Sequence, residues 1–203
     1  DRPTVLLGMS GGVDSSVAAA LLVRQGYDVR GVTLQVWEHE DESVAASKKW
    51  QERGCCKIGI AKHVAKTLDI PYEVIDTRDS FRKGVIDDFL QSYAQGITPN
   101  PCVRCNERVK IHGLMALAES RGIHHVATGH YVRVHCDHEA TTLHRSVDEK
   151  KDQSYFLCQV NQAQLSKALF PIGHLMKSEV RRIASEQNLI TANKKDSQGL
   201  CFV

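Results

Sequence analysis

What this sequence lacks narrows the field first. No apolar run approaches the roughly 18–20 residues needed to span a bilayer, and no basic stretch leads into an apolar signal segment, so neither a membrane nor a secretory protein is expected. Charge of one sign is also scarce. The 26 Lys and Arg against 24 Asp and Glu leave a formal charge of +2, too small to announce nucleic acid by itself. The basic pairs Lys48-Lys49, Lys150-Lys151, Arg181-Arg182 and Lys194-Lys195 could meet phosphate, but solvated surface is the plainer reading of each. There is no dense cysteine framework. Seven cysteines, an odd number spread over 203 residues, fit reduced thiols with chemistry or metal binding better than a disulfide scaffold. No internal repeat or low-complexity segment interrupts the chain, and 42% hydrophobic with 25% charged residues is enough to bury a proper core.

What is present alternates between two periods. "TVLLGM" (4–9), "VRGVTL" (29–34), "YEVI" (72–75) and "HHVATG" (124–129) are short, β-branched runs bounded by Gly or polar residues. Between them, residues 15–25 place Val17, Ala18, Leu21 and Leu22 on one helical face and stop at Gly26. Phe81, Val85, Phe89 and Tyr93 recur every fourth position and stop near Gly96. Residues 58–69 and 107–121 also read as helices. The alternation predicts an α/β fold, a parallel sheet with helices on both faces, whose ligands sit outside the C-terminal ends of the strands. After residue 131 the pattern weakens into a hairpin or extended excursion, then short helices over 151–190 with a turn at 170–173. The final "DSQGLCFV" stops on an apolar run, as expected for a piece of a longer protein.

The strongest motif is "GMSGGVDSS", from Gly8 to Ser16, at the end of the first strand and the start of the first helix. Gly11 and Gly12 let the backbone bend, Ser10, Ser15 and Ser16 offer hydroxyls, and the helix aims its first amides at the loop: a phosphate cradle. No lysine follows the glycines, so this is not G-x-x-x-x-G-K-[ST]. An acid, Asp14, stands inside the turn, which fits phosphate carried with Mg²⁺ and assigns Asp14 to the metal or the reacting centre. The plain alternative is a tight turn capped by Ser and Asp.

"SGGVDSS" resembles the PP-loop of the ATP pyrophosphatases, which cleave ATP between the α and β phosphates and adenylate their substrate. Together with "TPNPCVRCN" (98–106), "ATGHY" (127–131), "KDQSYFL" (151–157), "FPIGHLMKSEVRRIA" (170–184) and "KKDSQGLCF" (194–202), in that order, the chain resembles the tRNA-specific 2-thiouridylase family along its whole length. The resemblance implies a Rossmann-like HUP fold. It further implies a PP-loop catalytic domain over residues 1–168, and over 169–203 the start of a smaller helical, tRNA-binding module that returns Cys201 to the active site. A β-barrel follows in the family. Gly8, Met9, Ser10, Gly11, Gly12, Val13, Asp14 and Ser15 would then hold the ATP phosphates, Leu34 would offer its backbone to adenine, and Gly129 would pack on the nucleotide. Asn100, Pro101 and Cys102 fall at the family's target-base contact, and Lys151, Asp152 and Gln153 at its tRNA-contact motif. Cys105 and Cys201 match its two catalytic cysteines.

Position 102 departs from the common family pattern, where D-x-x-C implies a persulfide on Cys201 and a disulfide closed by Cys105. Here the motif is C-x-x-C. Cys102, Cys105 and Cys201 are three soft ligands, the number that holds a [4Fe-4S] cluster with one iron open, so the chain resembles the iron-sulfur branch. Persulfide and disulfide chemistry stays open, as does a redox dithiol or a zinc site completed by His130 and Cys201. Cys55 and Cys56 read as loop or packing residues, Cys136 and Cys158 as partly buried small residues. Arg108 and Lys110 could reach phosphate, with exposed helical cations as the plain alternative. The implied partners are the tRNA anticodon loop and a sulfur donor such as a cysteine desulfurase relay. The expected compartment is bacterial cytoplasm, with an organelle open.

Overall fold

The computed structural model describes residues 2–37, 57–138 and 140–196. Strand β1 (Thr4–Gly8) is followed by α1 (Val13–Arg24), β2 (Asp28–Gln35), α2 (Ile58–Thr67) and β3 (Tyr72–Asp76). Helix α3 runs through Arg78–Phe81, a π-helical stretch Arg82–Ile86, and Asp87–Ala94. Helix α4 likewise joins Pro101–Cys105, a π-helical stretch Asn106–Ile111, and His112–Ser120. Strand β4 (His125–Thr128), the hairpin β5 (Val132–Cys136) and β6 (Thr141–Arg145), a short α5 (Gln162–Leu165), β7 (Ala168–Leu169) and α6 (Lys177–Glu186) complete it.

The main sheet has the order β3-β2-β1-β4-β7 with every pairing parallel. Val5, Leu6 and Leu7 of β1 are all at 0% exposure, which is why this central strand reads as a continuous apolar run rather than an alternating one. Successive side chains feed opposite layers. Val5 and Leu7 join Val17, Ala18, Val64, Val180 and Ile183 on one face; Leu6 joins Val32, Ile111, Leu114 and Val126 on the other. The small residues Ala18, Ala19 and Ala20 let α1 lie between the sheet and α6. The chain builds outward from β1 through β2 and β3, then returns to place β4 on β1's other side. That reversal makes the carboxyl ends of β1 and β4 the switch point where such sheets bind ligands.

The structure extends the expected elements at three places. Helix α4 begins at Pro101 rather than 107, because Asn100 caps it: its Oδ1 accepts from the amides of Cys102 (3.1 Å) and Val103 (3.3 Å), and Pro101 takes the first helical position. The predicted excursion after residue 131 is a true antiparallel hairpin, Val132 opposite Arg145 through Cys136 opposite Thr141. A fifth strand, β7, pairs Val126 with Ala168 and Ala127 with Leu169; the boundary drawn after residue 168 falls inside it. Beyond it, Ile172, Val180, Ile183 and Ala184 share the apolar cluster of Val5 and Leu7. No helix among the described residues is long and apolar enough to cross a membrane.

Candidate active site at the switch point of the sheet

The loop after β1 is held from three sides. Ser15 Oγ accepts from the Ser10 amide (3.2 Å) and donates to the Gly12 carbonyl (3.2 Å), while Ser16 Oγ donates to the same carbonyl (2.8 Å). The Met9 carbonyl accepts from Thr33 Oγ1 (2.6 Å), itself an acceptor from the Tyr72 hydroxyl (2.7 Å). The Lys57 amide donates to the Ser10 carbonyl (2.9 Å). Gly11 has φ of +72°, and a Cβ there would lie 2.5 Å from the Lys57 carbonyl oxygen. Opposite, Gly129 touches the first turn of α1 so closely that a Cβ would meet the Ser15 amide nitrogen at 2.6 Å and the Asp14 carbonyl carbon at 2.7 Å. Such a glycine-lined approach of loop, helix start and neighbouring strand fits a phosphate-bearing ligand. Met9 (2% exposed) and Val13 (3%) turn their side chains into the core, so only their backbone faces this space. Leu34 is buried two residues beyond Val32, the last β2 partner of β1, where β2 continues beside β3.

Asp14 sits differently from the expected metal ligand. Lys177 Nζ donates to both of its carboxylate oxygens (2.7 and 2.9 Å), and Tyr131 Oη donates to Oδ1 (2.8 Å). Lys177 also lies 5.4 Å from the Tyr131 ring centre and pairs with Asp196 at 2.9 Å. Asp196 in turn receives Lys151 (2.8 Å) and Arg181 (3.1 Å). A cation already stands where Mg²⁺ would stand on Asp14, so the residues as arranged do not fit a magnesium ion there. Burial pushes the Asp196 carboxyl up, and the hydrogen bonds and charges of Lys151 and Lys177 outweigh it, leaving it below the usual aspartate range. Burial, then the Asp14 charge, raises the Tyr131 phenol, which stays a protonated donor.

This network carries a prediction. Lys177→Met leaves Asp14 without its cation and is expected to destabilise the fold by about 2–3 kcal/mol at neutral pH, a reduced figure for a partly exposed pair. Because Asp196 titrates lower in the folded than in the unfolded protein, its stabilisation is present above the ordinary value of 3.8 and fades as pH falls through the folded value. Chemical denaturation of both proteins from pH 7 to pH 3 is expected to show the gap between them narrowing below about pH 4.

The expected tRNA-contact residues are tied into the same region. Lys151 binds Asp196; Asp152 accepts from the Ser146 amide (2.9 Å) and Ser154 Oγ (2.7 Å); Gln153 exchanges two hydrogen bonds with the Tyr131 backbone (3.0 and 2.9 Å). His130 accepts or shares a proton with Thr128 Oγ1 at 2.7 Å, and burial followed by the Lys110 charge pulls its pKa down to about 3, so the ring is neutral at neutral pH. Arg108 is occupied by Asp88 and the Gly84 carbonyl, both at 3.1 Å.

Cys102 and Cys105 lie three residues apart on the first turns of α4 and share a face. Cys102 is half-buried. Cys105 is 4% exposed, packed with Val36, Phe81, Val85 and Val109, and Val36 is one residue past β2, which puts this thiol at the carboxyl edge of the sheet. Cys201, Cys55 and Cys56 lie outside the described residues. Among the described residues no three His, Cys, Asp or Glu side chains are grouped to hold a metal. Cys136 and Cys158 are exposed rather than partly buried; Cys158 lines a shallow cleft of about 220 Å³ with Asn100, Val103, Arg104, Tyr155 and Gln159. Three residues lie within the quoted motifs without a role assigned to them from the sequence: Lys177, Asp196 and Asn106. Asn106 is 3% exposed, donates to the Cys102 carbonyl (3.0 Å), and its Oδ1 has no partner among the described residues.

Comparison with known proteins shows the family and the fold. The tRNA-specific 2-thiouridylase MnmA of Clostridium perfringens is 47% identical over 207 residues, covering 100% of this chain and 56% of that protein. Its Clostridium beijerinckii counterpart is 46% identical over 205 residues, with the same coverage. The chain therefore spans about half the length of these curated relatives. Among solved structures, NMN synthetase from Francisella tularensis superposes with a TM-score of 0.56 at 19% identity, over 97% of this chain and 67% of that one. A 4-thiouridine synthetase in complex with RNA and bound ATP gives 0.55 at 14% identity, over 98% and 45%. These two show a shared fold. The family model described as "tRNA methyl transferase HUP domain" matches residues 3–203, and the chain, a relative of the tRNA-specific 2-thiouridylases, belongs to that family.

Proposed function

We propose that this chain is the ATP-using part of a tRNA 2-thiouridine synthase acting on the wobble uridine. The observation that carries the reading is the placement of two chemistries on one sheet edge. The phosphate loop Gly8 to Ser16 lies at the β1–β4 switch point, and the Cys105 thiol lies at the end of β2. The relatives, tRNA-specific 2-thiouridylases, supply the substrate class.

The chemistry needs both. The C2 oxygen of uridine is a hopeless leaving group as oxide, so it first attacks the α-phosphorus of ATP and pyrophosphate departs. A sulfur nucleophile then adds at C2, and the C2–O bond breaks with AMP as leaving group. The loop amides and Gly129 position the triphosphate, and any magnesium would have to be held mainly by the nucleotide rather than by Asp14. An anticodon-loop base is single-stranded and can be splayed out of the stack into such a site. Asn100, Pro101 and Cys102, at the start of α4, would meet the target base, Lys151, Asp152 and Gln153 would present their outer surfaces to tRNA, and residues 169–203 would add to that contact. Cys102, Cys105 and Cys201 would hold a [4Fe-4S] cluster, which would supply a binding site for sulfur at the sulfide level; sulfur arriving as a persulfide from a donor protein such as a cysteine desulfurase relay would need a two-electron reductant to reach that level. The setting proposed is cytoplasmic.

The test uses full-length protein, unmodified tRNA and labelled ATP. AMP and pyrophosphate are expected only when tRNA is present, with 2-thiouridine appearing in the digested nucleosides once sulfide is supplied. ATP consumed with a small metabolite and indifferent to tRNA would instead identify another PP-loop adenylating enzyme.

A further inference from the structure

We infer that Lys194 is a phosphate-binding residue of the nucleotide site, taking the β- and γ-phosphates of ATP, the part that leaves as pyrophosphate. The inference rests on the ATP-binding reading above and adds a residue that lies outside the phosphate loop and 183 positions from it.

The sequence leaves the pair Lys194-Lys195 between phosphate contact and the plainer reading of solvated surface, and the structure separates the two residues. Lys195 is exposed, but Lys194 is half-buried and its Nζ donates to the Gly11 carbonyl at 2.5 Å, in the middle of the phosphate loop. The segment carrying it is pinned two residues later, where Asp196 receives Lys151, Lys177 and Arg181. Each of those three cations meets a carboxylate. Lys194 does not: its ammonium donates to the neutral Gly11 carbonyl and stands against the Lys57 side chain, itself a cation. A half-buried ammonium group without a countercharge is costly, and here it stands on the glycine turn that leads into the N-terminus of α1, the end of a helix that favours an anion. Lys57 borders the same loop, its amide on the Ser10 carbonyl and its own carbonyl against Gly11. Burial first and the Lys57 charge second pull the Lys194 ammonium down to about 8. A polyphosphate placed against both lysines reverses the second effect and offsets the first. AMP, which lacks the two outer phosphates, does neither.

The discriminating experiment is calorimetric titration of the full-length protein with ATP, AMP and inorganic pyrophosphate, for wild type, Lys194→Met, Lys194→Arg and the exposed neighbour Lys195→Met. Loss of one charge-assisted contact is expected to weaken ATP and pyrophosphate roughly 10- to 100-fold in Lys194→Met. AMP is expected to stay within about twofold, Lys194→Arg to recover part of the loss, and Lys195→Met to match wild type. Unchanged ATP affinity in Lys194→Met overturns the assignment. So does an equal loss of ATP and AMP, which would make Lys194 a brace for the loop. Wild-type protein that binds none of the three overturns the ATP-site reading itself.

Discussion

Full-length protein carrying Gly129→Ala is expected to bind ATP at least about 100-fold more weakly and to unfold with about 1–3 kcal/mol less stability. The cause is steric and local. A methyl group at Gly129 would stand 2.6 Å from the Ser15 amide nitrogen, 2.7 Å from the Asp14 carbonyl carbon and 2.9 Å from the Ser15 Cα, all backbone atoms of the first turn of α1. No flexible side chain can swing aside, so the end of β4 and the start of α1 must separate. That movement opens the switch point and misaligns the amides proposed above to hold the phosphates. Gly59, exposed in α2, is the control: a Cβ there meets nothing within 4 Å. Gly59→Ala is expected to leave ATP binding unchanged and to raise stability by about 0.5–1 kcal/mol through helix propensity. Titration with ATP and chemical denaturation of both variants check the pair. Equal behaviour of the two would remove Gly129 from the site.

The legible and illegible parts of this molecule differ by the range of the interaction. β1 and its loop were readable because a buried apolar strand, two glycines, hydroxyl side chains and a helix follow one another within a few residues. β2, β3 and β4 were readable for the same reason, and their parallel order follows from the helices between them. β7 was not: two residues, Ala168 and Leu169, carry no periodicity, and only pairing with β4 makes them a strand. The start of α4 was misplaced although its signals were local. Asn100 and Pro101 look like chain breakers but are the cap and first residue of a helix. The charge network is a different case. Asp14 and Lys177 are 163 residues apart, and nothing near either one tells that Lys177 fills the place a metal ion would take. The motif at 170–184 contains Lys177, but nothing in its spacing pairs that lysine with Asp14.

The other large effect is expected at Cys102, where the two sulfur chemistries part. Cys105→Ala is expected to lower thiolation by about three orders of magnitude or more under either, because it removes a cysteine that both mechanisms use. Cys102→Ala separates them. On the cluster reading, anaerobically prepared Cys102→Ala loses iron and acid-labile sulfide together with thiolation, while its ATP affinity stays at the wild-type level, since Cys102 lies on α4 and not on the phosphate loop. On the persulfide reading, the wild type works without iron and Cys102→Ala keeps most of its activity, with Cys105 and Cys201 closing a disulfide that a thiol-specific mass label would detect after one turnover. The fold itself should tolerate the change. Cys102 is half-buried, its amide rather than its thiol meets the Asn100 cap, and alanine retains that amide. An unfolding midpoint unchanged to within a degree or two, beside lost iron and lost thiolation, would therefore place the defect in sulfur handling and not in the helix.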